Sequence, residues 1–100
     1  MKPRLLDEAG VTRFLYANPD VELSLPEALA SVNASFGEDT PVYLSLERDP
    51  DSGEESLILL VYRPTYRREE RAVFRDTITS MKCSVERFFM MPIFALPELA

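Results

Sequence analysis

Apolar and polar positions alternate in two stretches of the chain and recur at helical spacing in others, and these patterns outline the fold. Val42, Leu44 and Leu46 alternate with Tyr43, Ser45 and Glu47. After a break the run Leu57 to Tyr62 reads Leu-Ile-Leu-Leu-Val-Tyr. Period-two alternation places successive side chains on opposite faces of a strand. The break itself, Asp49-Pro50-Asp51-Ser52-Gly53-Glu54, is turn chemistry. Proline presets φ, the aspartates bond nearby N–H groups, and glycine accepts positive φ. The two runs therefore predict an antiparallel hairpin. A register in which Val42 meets Val61, Leu44 meets Leu59 and Leu46 meets Leu57 collects six aliphatic side chains on one face. The same register sets Arg48 opposite Glu55, where an opposite-charge pair adds a few tenths of a kcal/mol.

Helical spacing appears on both sides of the hairpin. Residues 4–17 carry Leu6, Val11, Phe14 and Leu15 on a rough stripe, interrupted by Gly10 and closed by Asn18-Pro19. Val21, Leu23 and Leu25 alternate with polar residues, which reads as a short strand or an extended connection. Ser24-Leu25-Pro26-Glu27 fits a capping box. From it Leu25, Leu29, Val32 and Phe36 draw one apolar face up to Gly37, predicting a helix over 26–36. After Pro64, the residues Phe74, Ile78, Met81, Val85 and Phe89 recur at spacings of three and four, predicting a long helix from near Arg67 to just before Pro92. The expectation is a single α+β domain over 1–100. It has two N-terminal helical segments, an antiparallel hairpin (three strands if 21–25 is one), and a long C-terminal helix packed on the sheet.

One face of that hairpin is out of place on a water-facing sheet. Tyr43, Ile58, Leu60 and Tyr62 lie opposite the aliphatic face, and a solvated antiparallel face is normally polar. A lone hairpin is also marginal, so residues 21–25, a helix or another copy of the chain must cover this face or its edge. The tail Met90-Met91-Pro92-Ile93-Phe94-Ala95-Leu96-Pro97 is apolar enough to need a partner surface too. Tyr43, Ile58, Leu60, Tyr62, Ile93 and Phe94 are thus the candidate interface.

Composition narrows the chemistry. The chain has 100 residues, no His, no Trp and one Cys. That removes histidine catalysis, Cys/His zinc sites and an intrachain disulfide. Mid-helix Cys83 has no base to activate it, with only Lys82 and Arg87 nearby, and reads as structural. Asp49, Asp51, Glu54 and Glu55 lack the glycine and glutamate positions of a calcium loop, and turn formation accounts for them. Adjacent Glu69 and Glu70 point apart on a helix and do not face one site as paired catalytic carboxylates must. No Gly-rich phosphate loop, GxSxG, HExxH or CxxC is present. The expectation is a protein that is not an enzyme, with no metal and no cofactor.

Charge splits along the chain. The net charge is −6. Residues 63–87 nevertheless carry seven basic side chains against four acidic ones. Arg67, Arg71 and Arg75 recur every four residues, with Arg63 and Arg68 beside them, and Tyr62 and Tyr66 could stack on bases. These five arginines are the candidate anion or nucleic-acid contact, opposed by the acidic whole. The N-terminal residues have no secretory h-region, no stretch has the length of a membrane span, and one unpaired cysteine suits a reducing compartment. The sequence therefore points to a small cytoplasmic interaction module away from membranes, pairing with itself or with another protein. An arginine-rich nucleic-acid or regulatory module is the alternative.

Overall fold

A computed structural model describes residues 3–65, 67–80 and 87–97, with Ser80 described by its backbone only. In chain order it contains β1 (Arg4–Leu5), α1 (Glu8–Ala17), α2 (Pro19–Phe36), β2 (Val42–Arg48), β3 (Glu55–Tyr62), α3 (Arg68–Ser80) and β4 (Phe88–Ile93). The four strands form one mixed sheet in the order β1-β2-β3-β4. The central pair is the antiparallel hairpin, and each outer strand runs parallel to its neighbour.

The hairpin register pairs Val42 with Val61, Leu44 with Leu59, Leu46 with Leu57 and Arg48 with Glu55. Its loop closes by turn hydrogen bonds. The Gly53 N–H reaches the Asp49 carbonyl at 2.8 Å, the Asp51 N–H reaches Asp49 Oδ1 at 2.8 Å, and Gly53 takes φ 76°. Arg48 and Glu55 are partners in register, but the Glu55 carboxylate accepts from Arg13 of α1 at 2.7 Å.

The C-terminal segment departs from expectation. Helix α3 is described as far as Ser80, and Phe89, expected on that helix, lies in β4. Met81, Cys83 and Val85 lie outside the described residues. The reason for the strand is visible in β3, which is apolar on both faces. Such a strand belongs inside a sheet, with a neighbour on each side. The near-continuous run Phe88 to Ile93 supplies that neighbour. A 3.6-residue stripe and a short apolar run look alike over one or two turns, so the spacing carried the expected helix too far.

The N-terminal half departs too. Residues 4 and 5 form a strand rather than the start of a helix. Residues 21–25 belong to α2, which begins at Pro19. Proline is favoured in that first position, and Asp20 and Glu22 suit the first turn. Ser24 is therefore not an N-cap. It is buried, and its hydroxyl donates to the Asp20 carbonyl at 2.9 Å. Pro26 lies inside α2, where its missing N–H cannot serve the Glu22 carbonyl. The helix continues because Val21, Ala28 and Val32, on both sides of the proline, all reach the core. Burial of that face outweighs a local defect of about 3 kcal/mol.

All three helices bury side chains on the same face of the sheet. The core joins Val11 and Phe14 of α1, Val21, Ala28 and Val32 of α2, and Phe74 of α3 to Val42, Leu44, Leu57, Leu59, Val61, Phe88 and Met90. A hydrogen bond of 2.7 Å between the Ser31 and Thr77 hydroxyls joins α2 to α3. Gly10 shows how tightly α1 seats. Asp7 caps this helix, its Oδ1 accepting from the Gly10 N–H at 3.2 Å. A Cβ on Gly10 would lie 2.3 Å from Asp7 Oδ2 and 3.1 Å from Leu46 Cδ2. Gly10→Ala is therefore expected to destabilise the fold by about 1 kcal/mol, because loss of the cap outweighs the better helix propensity of alanine. Urea unfolding measures this, and a stabilised variant would contradict the packing described.

Candidate interaction face

The strand register that aims six aliphatic side chains at the helices aims the alternate residues away from them. On β2 these are Tyr43, Ser45 and Glu47, on β3 Ser56, Ile58, Leu60 and Tyr62, and on β4 Phe89, Met91 and Ile93. Arg4 of β1 lies beside Tyr43. Every helix sends its core residues to the other side, so no described helix packs on this face.

The six candidate interface residues divide. Tyr43 and Ile58 are 6% and 2% exposed. They sit at the centre of the sheet, Tyr43 between Arg4 and Leu60 and Ile58 between Ser45 and Phe89. They are buried within the single chain and offer little contact surface, which corrects their assignment. Leu60, Tyr62 and Ile93 are half-buried, and Phe94 is 61% exposed. The structure adds Met91 at 41% and Leu96 at 54%. The signal for Met91 was the apolar run itself, since alternation along a strand puts residues 89, 91 and 93 on one face. Part of the exposed apolar surface thus follows β4 and its tail, while Tyr16 of α1 at 90% and Leu23 of α2 at 81% are more exposed still.

The five arginines also divide. Arg63 is drawn inward. Its guanidinium carbon lies 4.3 Å from the Phe36 ring centroid and its NH2 group pairs with Glu70. Phe36 in turn contacts Phe74 at 5.6 Å between centroids. Glu70 also accepts from the Arg67 N–H at 3.4 Å, the carboxylate half of a capping box at the start of α3. The hydrogen bond from Arg63 holds the Glu70 carboxyl below its ordinary pKa despite burial, which pushes the other way. Arg63 is therefore structural rather than part of an anion surface. Arg67, Arg68, Arg71 and Arg75 remain exposed on α3, Arg75 lying 3.6 Å from Asp76. Arg87 is committed as well. It pairs with Asp20 and donates to Asn18 Oδ1 at 2.9 Å, tying the α1–α2 joint to the start of β4. That contact lowers the Asp20 pKa.

Other features offer less. A groove between α1 and α2 is lined by Leu15, Glu22, Leu25, Pro26, Leu29, Ala30 and Asn33, with Glu22 its one ionisable side chain. Among the described residues, no three acidic or cysteine side chains gather as metal ligands, and no helix is long and apolar enough to cross a membrane. Comparison with family models, curated proteins and solved structures finds no match to this chain.

Proposed function

We propose that this protein is a small, non-enzymatic cytoplasmic interaction module that pairs with a second copy of itself through the helix-free face of its sheet. The observation that carries the reading is the apolar surface of Leu60, Tyr62, Met91 and Ile93, on a side of the sheet to which no described helix contributes core residues, with exposed Phe94 and Leu96 just beyond β4. Burying such surface is favourable at about 25 cal/mol per Å² of apolar area. The face is small. Three strands spaced ~4.8 Å apart and about six residues long cover on the order of 300 Å². A standard interface buries about 800 Å² per partner, so the pairing is weak and reversible.

Leu60→Lys places a charge in this surface on a side chain that is only half-buried. The expected result is loss of the dimer with an unchanged circular dichroism spectrum. An unfolded variant would show that Leu60 is needed by the chain's own fold and would remove it from the contact.

A second reading rests on Arg67, Arg68, Arg71 and Arg75, exposed together on α3. In it the helix edge contacts phosphates. Fluorescence anisotropy at ~50 mM salt decides, since binding that depends on phosphate contacts strengthens as salt falls. Flat titrations with single-stranded DNA, duplex DNA and RNA would eliminate it.

A further inference from the structure

Resting on the phosphate-contact reading, we propose that Arg68, Arg71 and Arg75 of α3 grip the backbone of a nucleic-acid duplex without reading its sequence. These three side chains share one stripe. At 3.6 residues per turn they fall within an arc of about 60°, spread over about 10 Å of helix. All three are exposed. Arg68 and Arg71 have no hydrogen bond or ion pair among the described residues, and Arg75 has only the 3.6 Å contact with exposed Asp76. Elsewhere Arg13, Arg63 and Arg87 each pair with a carboxylate, that of Glu55, Glu70 and Asp20. Like charges three and four residues apart on a helix repel, so the stripe opposes folding and no described contact offsets it. Solubility does not account for it either. The chain is already at −6, and added acidic residues serve solubility better than arginines. An anionic partner accounts for the stripe.

The kind of anion follows from the rest of the charge. A chain at −6 gains no long-range attraction to a polyanion. What remains is local: each arginine that meets a phosphate releases counterions condensed on the polymer. That gain needs a polymer dense enough in charge to condense them, and a duplex carries one charge per about 1.7 Å of its axis. A single strand is less dense and is held largely by stacking of bases on aromatic side chains. Among the described residues α3 has one aromatic, Phe74, and it is 4% exposed in the core. Tyr62 lies on the helix-free face of the sheet, away from the stripe. Contacts to phosphate alone carry no sequence information.

Fluorescence anisotropy with a labelled duplex of about 20 base pairs, over roughly 20–100 mM salt, is the test. Three contacts predict a slope of log K against log salt of about −2.7, or about 80-fold weaker binding across that range. Arg71→Gln is expected to reduce the slope to about −1.8, or about 20-fold. Arg48→Gln makes the same change in net charge on exposed β2 and should leave the slope unaltered. Circular dichroism of both variants should match the parent. A slope that Arg71→Gln leaves unchanged, or that Arg48→Gln lowers equally, would overturn the placement. A single strand bound as tightly as the duplex, a preference for one duplex sequence over its scrambled form, or equal competition by polyglutamate would overturn the choice of partner. Absence of binding to any nucleic acid at about 20 mM salt would instead overturn the phosphate-contact reading itself.

Discussion

Phe88→Ala is expected to cost about 3–5 kcal/mol in urea unfolding, the range for emptying a buried aromatic site. Phe88 opens β4, is fully buried, and sits opposite Leu57 in the core beneath the helices. Removing its ring leaves a cavity at the place where the chain returns from α3 to the sheet. A domain of this kind holds about 5–15 kcal/mol in total, so the loss is a large part of its stability. Phe88→Leu keeps most of the volume and should cost less than half as much. A loss below about 1 kcal/mol for Phe88→Ala would mean that Phe88 does not close the core.

Glu70→Ala is expected to cost about 2–3 kcal/mol, the scale for hydrogen bonds to charged groups. The carboxylate has two tasks. It neutralises Arg63 over the Phe36 ring and caps the first turn of α3. Its side chain is 12% exposed and that of Arg63 is 23% exposed, so water replaces the lost partner poorly. Arg63 Nε is already buried without a hydrogen-bond partner among the described residues. Truncating Glu70 leaves that guanidinium unpaired as well. The combination Arg63→Met with Glu70→Ala should recover much of the loss, because a buried charge without its partner is worse than an apolar pair. Equal losses in the single and double variants would contradict this.

The same pair has a pH signature. The folded Glu70 carboxyl has a pKa below that of the unfolded chain. Its contribution is therefore complete above the unfolded value, about 4.3, and is lost as pH falls through the lower folded value. Asp20, bonded to Arg87, shifts in the same direction. Glu70→Gln should flatten the acid limb of a stability-versus-pH curve below about pH 4.3 and leave its slope near neutrality unchanged. A wild-type acid limb that Glu70→Gln leaves unaltered would contradict the pairing.

The hairpin was legible because one local pattern specified it. Alternation set the faces, turn residues set the loop, and only one register brought all six aliphatics together. The α+β class followed from the same runs. The parallel outer strands were not legible, because their pairing depends on contacts distant in sequence. Nothing in Arg4-Leu5 announces a two-residue strand beside Tyr43 and Leu44. Val21-Leu23-Leu25 alternates like a strand, but in α2 it leaves Leu23 81% exposed, because the burial of Val21, Ala28 and Val32 decided the conformation. The apolar second face was legible from the alternation itself. Its division into a buried centre at Tyr43 and Ile58 and an exposed Met91 required β4, which the helical stripe had concealed. Charge patterning likewise showed five neighbouring arginines but not the Phe36 ring and Glu70 carboxylate that remove Arg63 from them.

Sedimentation equilibrium of the unmodified chain bears most directly on the self-pairing on which the functional reading rests. The weight-average mass is expected to rise from 11.4 kDa toward twice that value as concentration rises through roughly 10–100 μM, as suits an interface of small area. A constant 11.4 kDa across that range would contradict it.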